Sequence, residues 1–386
     1  MPTLSRSSPE SPCPGQRPDL VAAYPRRLGA SAHDTASHRA LAGKLAGLLG
    51  CPCSVDYEPA PASDGPATPH IYYVPAMTLG SPAAARLGIH GEMDFYGGVV
   101  PHDFVASKAI THALLDGARA PAPAGWAAQM GARVRDAVLA GYTVFSAEDA
   151  LLAGTLLLRN GPVRVKPVQA TAGRGQVKVG DEAELRDALR AQNENETAQF
   201  GLVLEEHLED IVTYSVGTVR LPGMAASYVG TQQLTRDNDG NPVYGGSDIL
   251  FVRGGLDALA ASHWPAALRH AIELARCYDA AVQDCYPGFF ASRRNYDVAQ
   301  GLGPAGDCRS GVLEQSWRAG GASMAEACAL EAFCRDPGLT RVRARTTESY
   351  GGDDSRPPEA TIVYDDDDPQ VGRISKSAGI VQHGHA

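Results

Sequence analysis

Apolar positions change period several times along this chain, and each change marks an element. In "TASHRALAGKLAGLLG" the apolar residues recur at helical spacing and end on Gly50, a natural C-cap. "HIYYVP" and "YGGVVP" are short apolar runs, each stopped by a proline, and predict strands. "DFVASKAITHALLDGA" predicts a helix. In "GYTVFSAEDALLAGTLLLRNGPVRVKP" a strand gives way to a helix that Ser146 and Asp149 open as an S-x-x-D cap. Asn160-Gly161 closes that helix, and 163–168 form the next strand. A helix, "DEAELRDALRAQ", and a strand, "FGLVLEEHL", follow. Such alternation argues for α/β or α+β architecture.

The next stretch, "VTYSVGTVRLPGMAASYVGTQQLTRDNDGNPVYGG", breaks the alternation. Its strands are separated by "PGM" and "DNDGN", both turn sequences, and predict an antiparallel meander. A helix over "WPAALRHAIELARCYDAAVQDCY", two strands and a last clear helix complete the pattern. After 336 the periodicity fades, so "YGGDDSRPPE" and "YDDDDPQ" read as loops, with 365–368 a solvated acidic run. The Pro-, Ser- and Arg-rich residues 1–30 predict a disordered tail, and "RAPAPAG" at 119–125 a linker. The division is a tail at 1–30, an N-terminal α/β domain at 31–125, two subdomains at 126–200 and 201–335, and an extension at 336–386.

Composition narrows the function classes. A chain of 386 residues has room for two or three domains. A net charge of −10 argues against wholesale binding to nucleic acid or an anionic membrane. The first residues lack the apolar core of a signal peptide, and "ALLAGTLLL" is too short to span a bilayer, so a cytoplasmic location is expected. The eight cysteines show no zinc-ribbon spacing and read as plain thiols.

Three stretches carry candidate chemistry. In "VRVKPVQATAGRGQ", Lys166 ends an apolar strand ahead of a loop with Gly173, Arg174 and Gly175. A buried ammonium needs a partner, so an anion is expected beside it. The loop matches neither the phosphate-binding GK[ST] pattern nor GxGxxG. In "LVLEEHL", Glu205 and Glu206 end a strand, either as acids facing an adenine amino group or as solvated side chains. In "RRNYDVAQGLGPAGDCRSGVLEQSWRAGGASMAEACAL", a hairpin turning near 304–306 sets Asp297 roughly opposite Glu314. Glu314, Ser316 and Arg318 then share a face. Two acids opposite one another destabilise a sheet, and a divalent cation supplies a reason for them. Gly320 and Gly321, followed by Ser323 and Glu326 as a second S-x-x-E helix start, add an anion site. Arg293 and Arg294 read either as substrate-facing cations or as surface charges. The segment carrying Arg236, Tyr244, Ser247, Asp248 and Arg253 reads equally as a specificity element or as hairpin turns.

The order of these pieces, over about 130–330, resembles the ATP-grasp superfamily, in a divergent bacterial branch similar to biotin carboxylase. The order is strand-lysine-proline, glycine loop, helix, strand ending in Glu-Glu, antiparallel strands, an Asp on a strand, then Glu-x-Ser-x-Arg-x-Gly-Gly. The resemblance implies an N-terminal α/β domain followed by a two-subdomain ATP-grasp fold, with ATP and Mg²⁺ as cofactors. Lys166 then matches the nucleotide lysine, and Gly173, Arg174 and Gly175 the lid loop. Glu205, with Glu206 beside it, matches the hinge acid. Asp297 and Glu314 match the metal-bridging acids, and Arg318 the arginine on the phosphate or substrate side. Ser316 stands where the family usually has a metal-binding Asn, and Thr213 where many members carry a ribose-binding Glu. The family's earlier lysine or arginine has no clear match, with Arg133 and Arg135 as candidates.

The implied activity is ligation. A small-molecule or peptide carboxylate becomes an acyl phosphate, and an amine or other nucleophile displaces the phosphate. Lys166 and Arg318 would be the catalytic cations, and a homodimer is possible. Two alternatives stand beside it: a nucleotide-binding protein without turnover, and an α/β protein in which these residues are structural.

Overall fold

The computed structural model describes residues 17–59, 69–116, 120–169, 175–352 and 359–384. A parallel sheet in the order β2-β1-β3 begins the chain, from β1 (Leu20–Ala22), β2 (Cys53–Ser54) and β3 (Ile71–Tyr73). The side chains of Val21 and Ala22 are wholly buried, so the tail expected at 1–30 is corrected from Leu20 onward. Residues 1–16 lie outside the described residues. Between β1 and β2 runs α1 (Ala32–Leu49), where Ser31 Oγ accepts from the Asp34 amide and Gly50 ends the helix at φ 68°.

A second small sheet joins β4 (Leu79–Gly80), which leads into α2 (Ser81–Arg86), β5 (Gly98–Val100) and the distant β13 (Phe290–Ala291). The segment expected as one helix after β5 forms two 3₁₀ turns instead, Asp103–Ala106 and Lys108–Thr111. Phe104, Val105 and all four residues of the second turn are buried, so neighbouring strands satisfy this backbone rather than a regular helix. Thr143 Oγ1, for instance, donates to the Ala109 carbonyl.

After α3 (Ala128–Val134) comes an antiparallel sheet in the order β6-β9-β7-β8. It comprises β6 (Gly141–Val144), β7 (Val163–Pro167), β8 (Val177–Val179) and β9 (Leu202–Glu206). Its cover is α4 (Ala147–Leu158), capped by Ser146 as expected, and α5 (Glu182–Arg190). The short α6 (Glu194–Phe200) leads into β9.

The largest element is an eight-stranded antiparallel sheet, β15-β14-β10-β11-β12-β16-β18-β17. The predicted meander is β10 (Glu209–Leu221), β11 (Met224–Arg236) and β12 (Pro242–Arg253). Next come α7 (Leu256–Ala261) and α8 (Ala266–Cys285). The hairpin β14 (Arg293–Leu302) and β15 (Cys308–Ser316) precedes α9 (Ser323–Arg335). The region expected as loops supplies three strands, β16 (Arg341–Tyr350), β17 (Thr361–Asp368) and β18 (Gly372–Gly384). The acidic run 365–368 thus lies on the edge strand β17, with Asp365 bonded to Arg373 and Asp368 buried under the His33 amide. Charge on an edge strand opposes pairing with another chain, which a loop reading of the same acids misses. The helix α8 packs on one sheet face against Val216, Val229, Tyr296 and Val298. The helices α1 and α9 cover part of the other face, over Tyr228, Ile249, Phe251 and Ala344. Among the described residues no helix is long and apolar enough to cross a membrane.

Candidate active site

The site forms where the four-stranded sheet meets the β14–β15 edge of the large sheet. Asp297 on β14 stands directly opposite Glu314 on β15. Counting back from the turn, Leu302 pairs with Cys308 and Val298 with Val312, so Leu313 would face Asp297. A bulge at this point inserts Leu313 and moves Glu314 into register. Without it Glu314 would point to the opposite sheet face. Burial and the neighbouring Glu314 charge push the Asp297 carboxyl up to about 6, against hydrogen bonds from Asn295 and Gln232. Both amides donate at 2.8 Å to Asp297 Oδ1.

Two residues absent from the sequence reading complete the charge pattern. Lys108, 4% exposed, reaches Glu314 Oε2 at 3.0 Å from the second 3₁₀ turn. His112, just beyond that turn, reaches Glu205 Oε2 at 3.1 Å. Their one signal was a polar side chain isolated in the apolar run "ASKAITHAL". Arg133 and Arg135, the cations considered for this position, are both exposed, and Arg133 pairs with Asp284.

Lys166 does end a buried strand, and its anion is Glu205, at 2.9 Å. Its ammonium also lies 3.5 Å from the Leu313 carbonyl in the bulge, which joins the two sheets. Glu205 therefore pairs both oxygens, with Lys166 and His112, and the reading of it as a solvated side chain is corrected. Burial raises the Glu205 carboxyl, but Lys166 and His112 outweigh it and hold the group down from the ordinary 4.5 to about 2. A depressed value in the folded state means stability present above pH 4.5 and lost progressively as pH falls toward 2. The difference corresponds to about 3 kcal/mol. In urea unfolding between pH 4.5 and 2, Glu205→Gln is expected to show a flatter decline than wild type. Parallel declines would show that the pairing adds nothing to folding.

Glu206 is not solvated either, accepting from the Ala140 amide and from Arg309. Gly175 is exposed at φ 68°, while Gly173 and Arg174 lie outside the described residues. Ser316, expected as a metal ligand, instead accepts a hydrogen bond from Arg293 Nη1 at 3.3 Å through its Oγ. Arg318 is half-buried and donates to the Ala319 carbonyl. Burial and the nearby Arg293 charge lower its pKa from the usual value.

Arg293 and Arg294 serve as neither substrate cations nor surface charges. Arg293, 1% exposed, pairs with the wholly buried Glu326 at 2.8 Å and donates to the carbonyls of Ser316 and Arg318. Tyr96 and Tyr228 also donate to Glu326. The expected Ser-x-x-Glu helix cap is thus replaced: Glu326 turns into the core, and Ser323 Oγ accepts from the Gly320 amide. Arg294 bridges Asp279 and Glu92.

From the acid pair a polar belt crosses the sheet. Ser215 stands opposite Asp297, Gln232 opposite Ser247, Ser247 opposite Thr346, and Glu348 opposite Lys376. Tyr244 Oη bonds Ser247 and Thr346. The Tyr244 ring lies so near Gly321 that a Cβ there would come within 2.6 Å, which explains a glycine in this turn. Lys376 joins Glu348 to Asp34 at the start of α1. Of the doubtful segment, Tyr244 and Ser247 therefore reach the belt. Asp248 pairs with Arg343 and Arg345, Arg253 binds carbonyls just beyond α9, and Arg236 bonds Gly240.

Comparison with solved structures finds relatives of the overall fold. The biotin carboxylase domain of Hydrogenobacter thermophilus 2-oxoglutarate carboxylase, solved with MgADP, ADP and bicarbonate, superposes with a TM-score of 0.51 at 11% identity. The match covers 95% of this chain and 87% of that one. The phosphoribosylamine–glycine ligase of Thermotoga maritima gives 0.46 at 14% identity over 94% and 92%. The N5-carboxyaminoimidazole synthetase of Staphylococcus aureus gives 0.47 at 10% over 81% and 76%. No curated protein sequence matches. The first of these likenesses spans nearly the whole chain, and the fold is of the ATP-grasp kind that the order of motifs implied. The matching family model covers residues 21–378, and the chain belongs to that family, described as protein of unknown function (DUF3182).

Proposed function

We propose that this protein is an ATP- and Mg²⁺-dependent ligase that activates a carboxylate as an acyl phosphate for attack by an amine or other nucleophile. The observation that carries the reading is the convergence of Lys108, Lys166 and Arg318 around the Asp297–Glu314 pair, where two sheets meet. Among the described residues no group of three or more His, Cys, Asp or Glu side chains could hold a metal ion. Two carboxylates suit Mg²⁺, which takes one or two of them together with nucleotide phosphates. Asp297 and Glu314 fit that donor set, since burial and the Glu314 charge make the Asp297 carboxylate costly to ionise until a cation joins it. When bound, the ion would neutralise phosphate charge and orient the terminal phosphoryl group.

The chain's own residues do the rest. Phosphoryl transfer needs positioning and charge stabilisation more than covalent help. Lys108 and Lys166 offer ammonium groups held at the sheet junction, and Arg318 a guanidinium within range of the Glu314 charge. The substrate carboxylate attacks the terminal phosphorus and ADP leaves; the nucleophile then attacks the acyl carbon and phosphate leaves. The acceptor would lie beside the acid pair, at the Gln232 end of the polar belt. A second reading, nucleotide binding without turnover, is favoured by Ser316, whose hydroxyl belongs to Arg293. ADP release in a screen of carboxylates and amines separates the two.

The direct test is thermal unfolding with ATP and Mg²⁺ together, with each alone, and with neither. A ligand at a hundredfold excess over Kd stabilises the folded state by about 2.7 kcal/mol. A shift that needs both components is expected. No shift at millimolar nucleotide would remove the nucleotide site from this protein.

A further inference from the structure

We propose that His112 is a positioning residue for Lys166, acting through Glu205. The inference rests on the nucleotide-site reading above and adds a part to it. Lys166, Glu205 and His112 form a line of hydrogen-bonded side chains, each at most 3% exposed. A lysine and a glutamate alone would neutralise one another. The imidazole adds a second donor on the far carboxylate oxygen. A buried carboxylate that loses its one donor incurs the full cost of an unsatisfied charge. With His112 in place, Glu205 stays hydrogen-bonded when Lys166 turns toward an anion. The lysine is thereby both held and releasable.

The fold builds this arrangement deliberately enough to shape the backbone around it. Gly141 on β6 faces the imidazole, and a Cβ there would stand 2.8 Å from His112 Cε1 and 2.7 Å from the Leu204 carbonyl. Thr143 fixes the same segment twice, through its hydroxyl to Ala109 and its amide to Ala113. Lys108 and His112 lie four residues apart on that segment, one bonded to Glu314 and the other to Glu205. The segment thus ties both lysines to the two sheets at once. Lys166 Nζ already lies beside the bulge carbonyl that precedes Glu314, so its path to a phosphate at the acid pair is short.

A double-mutant cycle tests this, with affinity read by calorimetry for ATP·Mg²⁺ and, separately, for adenosine. His112→Ala is expected to weaken ATP about tenfold, to leave adenosine unchanged, and to cause no further loss in a Lys166→Ala background. His112→Gln, which keeps an N–H donor, is expected to recover most of the affinity. His112→Phe, which fills the space without a donor, replaces the alanine variant should that one not fold. An equal loss in the Lys166→Ala background, or an equal loss for adenosine, would overturn the proposal while leaving the nucleotide site standing. A wild-type protein that binds no ATP would overturn both.

Discussion

Glu314→Gln is expected to lower Mg²⁺-dependent ATP turnover by a hundredfold or more while leaving the fold intact. The substitution keeps the size of the side chain and one oxygen able to accept from Lys108, so the bulge and the β14–β15 register have no reason to change. What it removes is half of the anionic charge facing a cation. Losing one preorganised group of this kind costs about 2.7–4 kcal/mol of transition-state stabilisation, by analogy with oxyanion donors. Asp297→Asn is expected to act alike, since its carboxyl is the other donor of the pair. The measurement is ADP release against Mg²⁺ concentration, paired with the Mg²⁺-dependent part of the ATP-induced thermal shift. Wild-type turnover and an undiminished shift in both variants would take the acid pair out of the mechanism.

The second large effect is on stability. Glu326→Ala is expected to cost about 3–5 kcal/mol, because it strands the buried Arg293 guanidinium without its counter-charge. Loss of the carboxylate also removes the acceptor of Tyr96 and one of the two acceptors of Tyr228, a link between the N-terminal region and the large sheet. Arg293 further holds the carbonyls of Ser316 and Arg318, so the segment carrying Arg318 would loosen too. Replacing both partners by apolar residues, as in Arg293→Met with Glu326→Leu, is expected to cost markedly less than the single change. Urea unfolding at pH 7 reads both. A loss below about 1 kcal/mol for Glu326→Ala would mean that water or backbone takes over the guanidinium.

How far the sequence carries depends on whether a signal is local. Ser146 at its cap, Gly50 at its helix end and the turns of the β10–β12 meander were legible, because each depends on a few neighbouring residues. The pairing of Asp297 with Glu314 was only half legible. Turn chemistry set the hairpin, but the bulge at Leu313 that aligns the acids follows from how β15 meets its surroundings. Strands β16 to β18 give a weak local signal: in β16 only the two small apolar residues Val342 and Ala344 alternate with arginines, and β17 and β18 are largely charged or small. They pair because the meander offers an open edge at β12.

Charge partners follow the same division. The chain alone specifies that Lys166 ends a buried strand and therefore needs an anion, since that demand is set by the residue and its apolar run. Which anion answers it is a matter of three-dimensional placement. Glu205 is 39 positions away, and His112 another 93 from Glu205 in the opposite direction. Likewise Glu326 follows a serine at capping distance, yet it turns inward, because Arg293, Tyr96 and Tyr228 converge behind it. Local sequence determines which side chains must find partners and which elements carry them. Tertiary packing decides the partners, because a buried charge is satisfied by whatever the fold brings within hydrogen-bond reach, however distant along the chain.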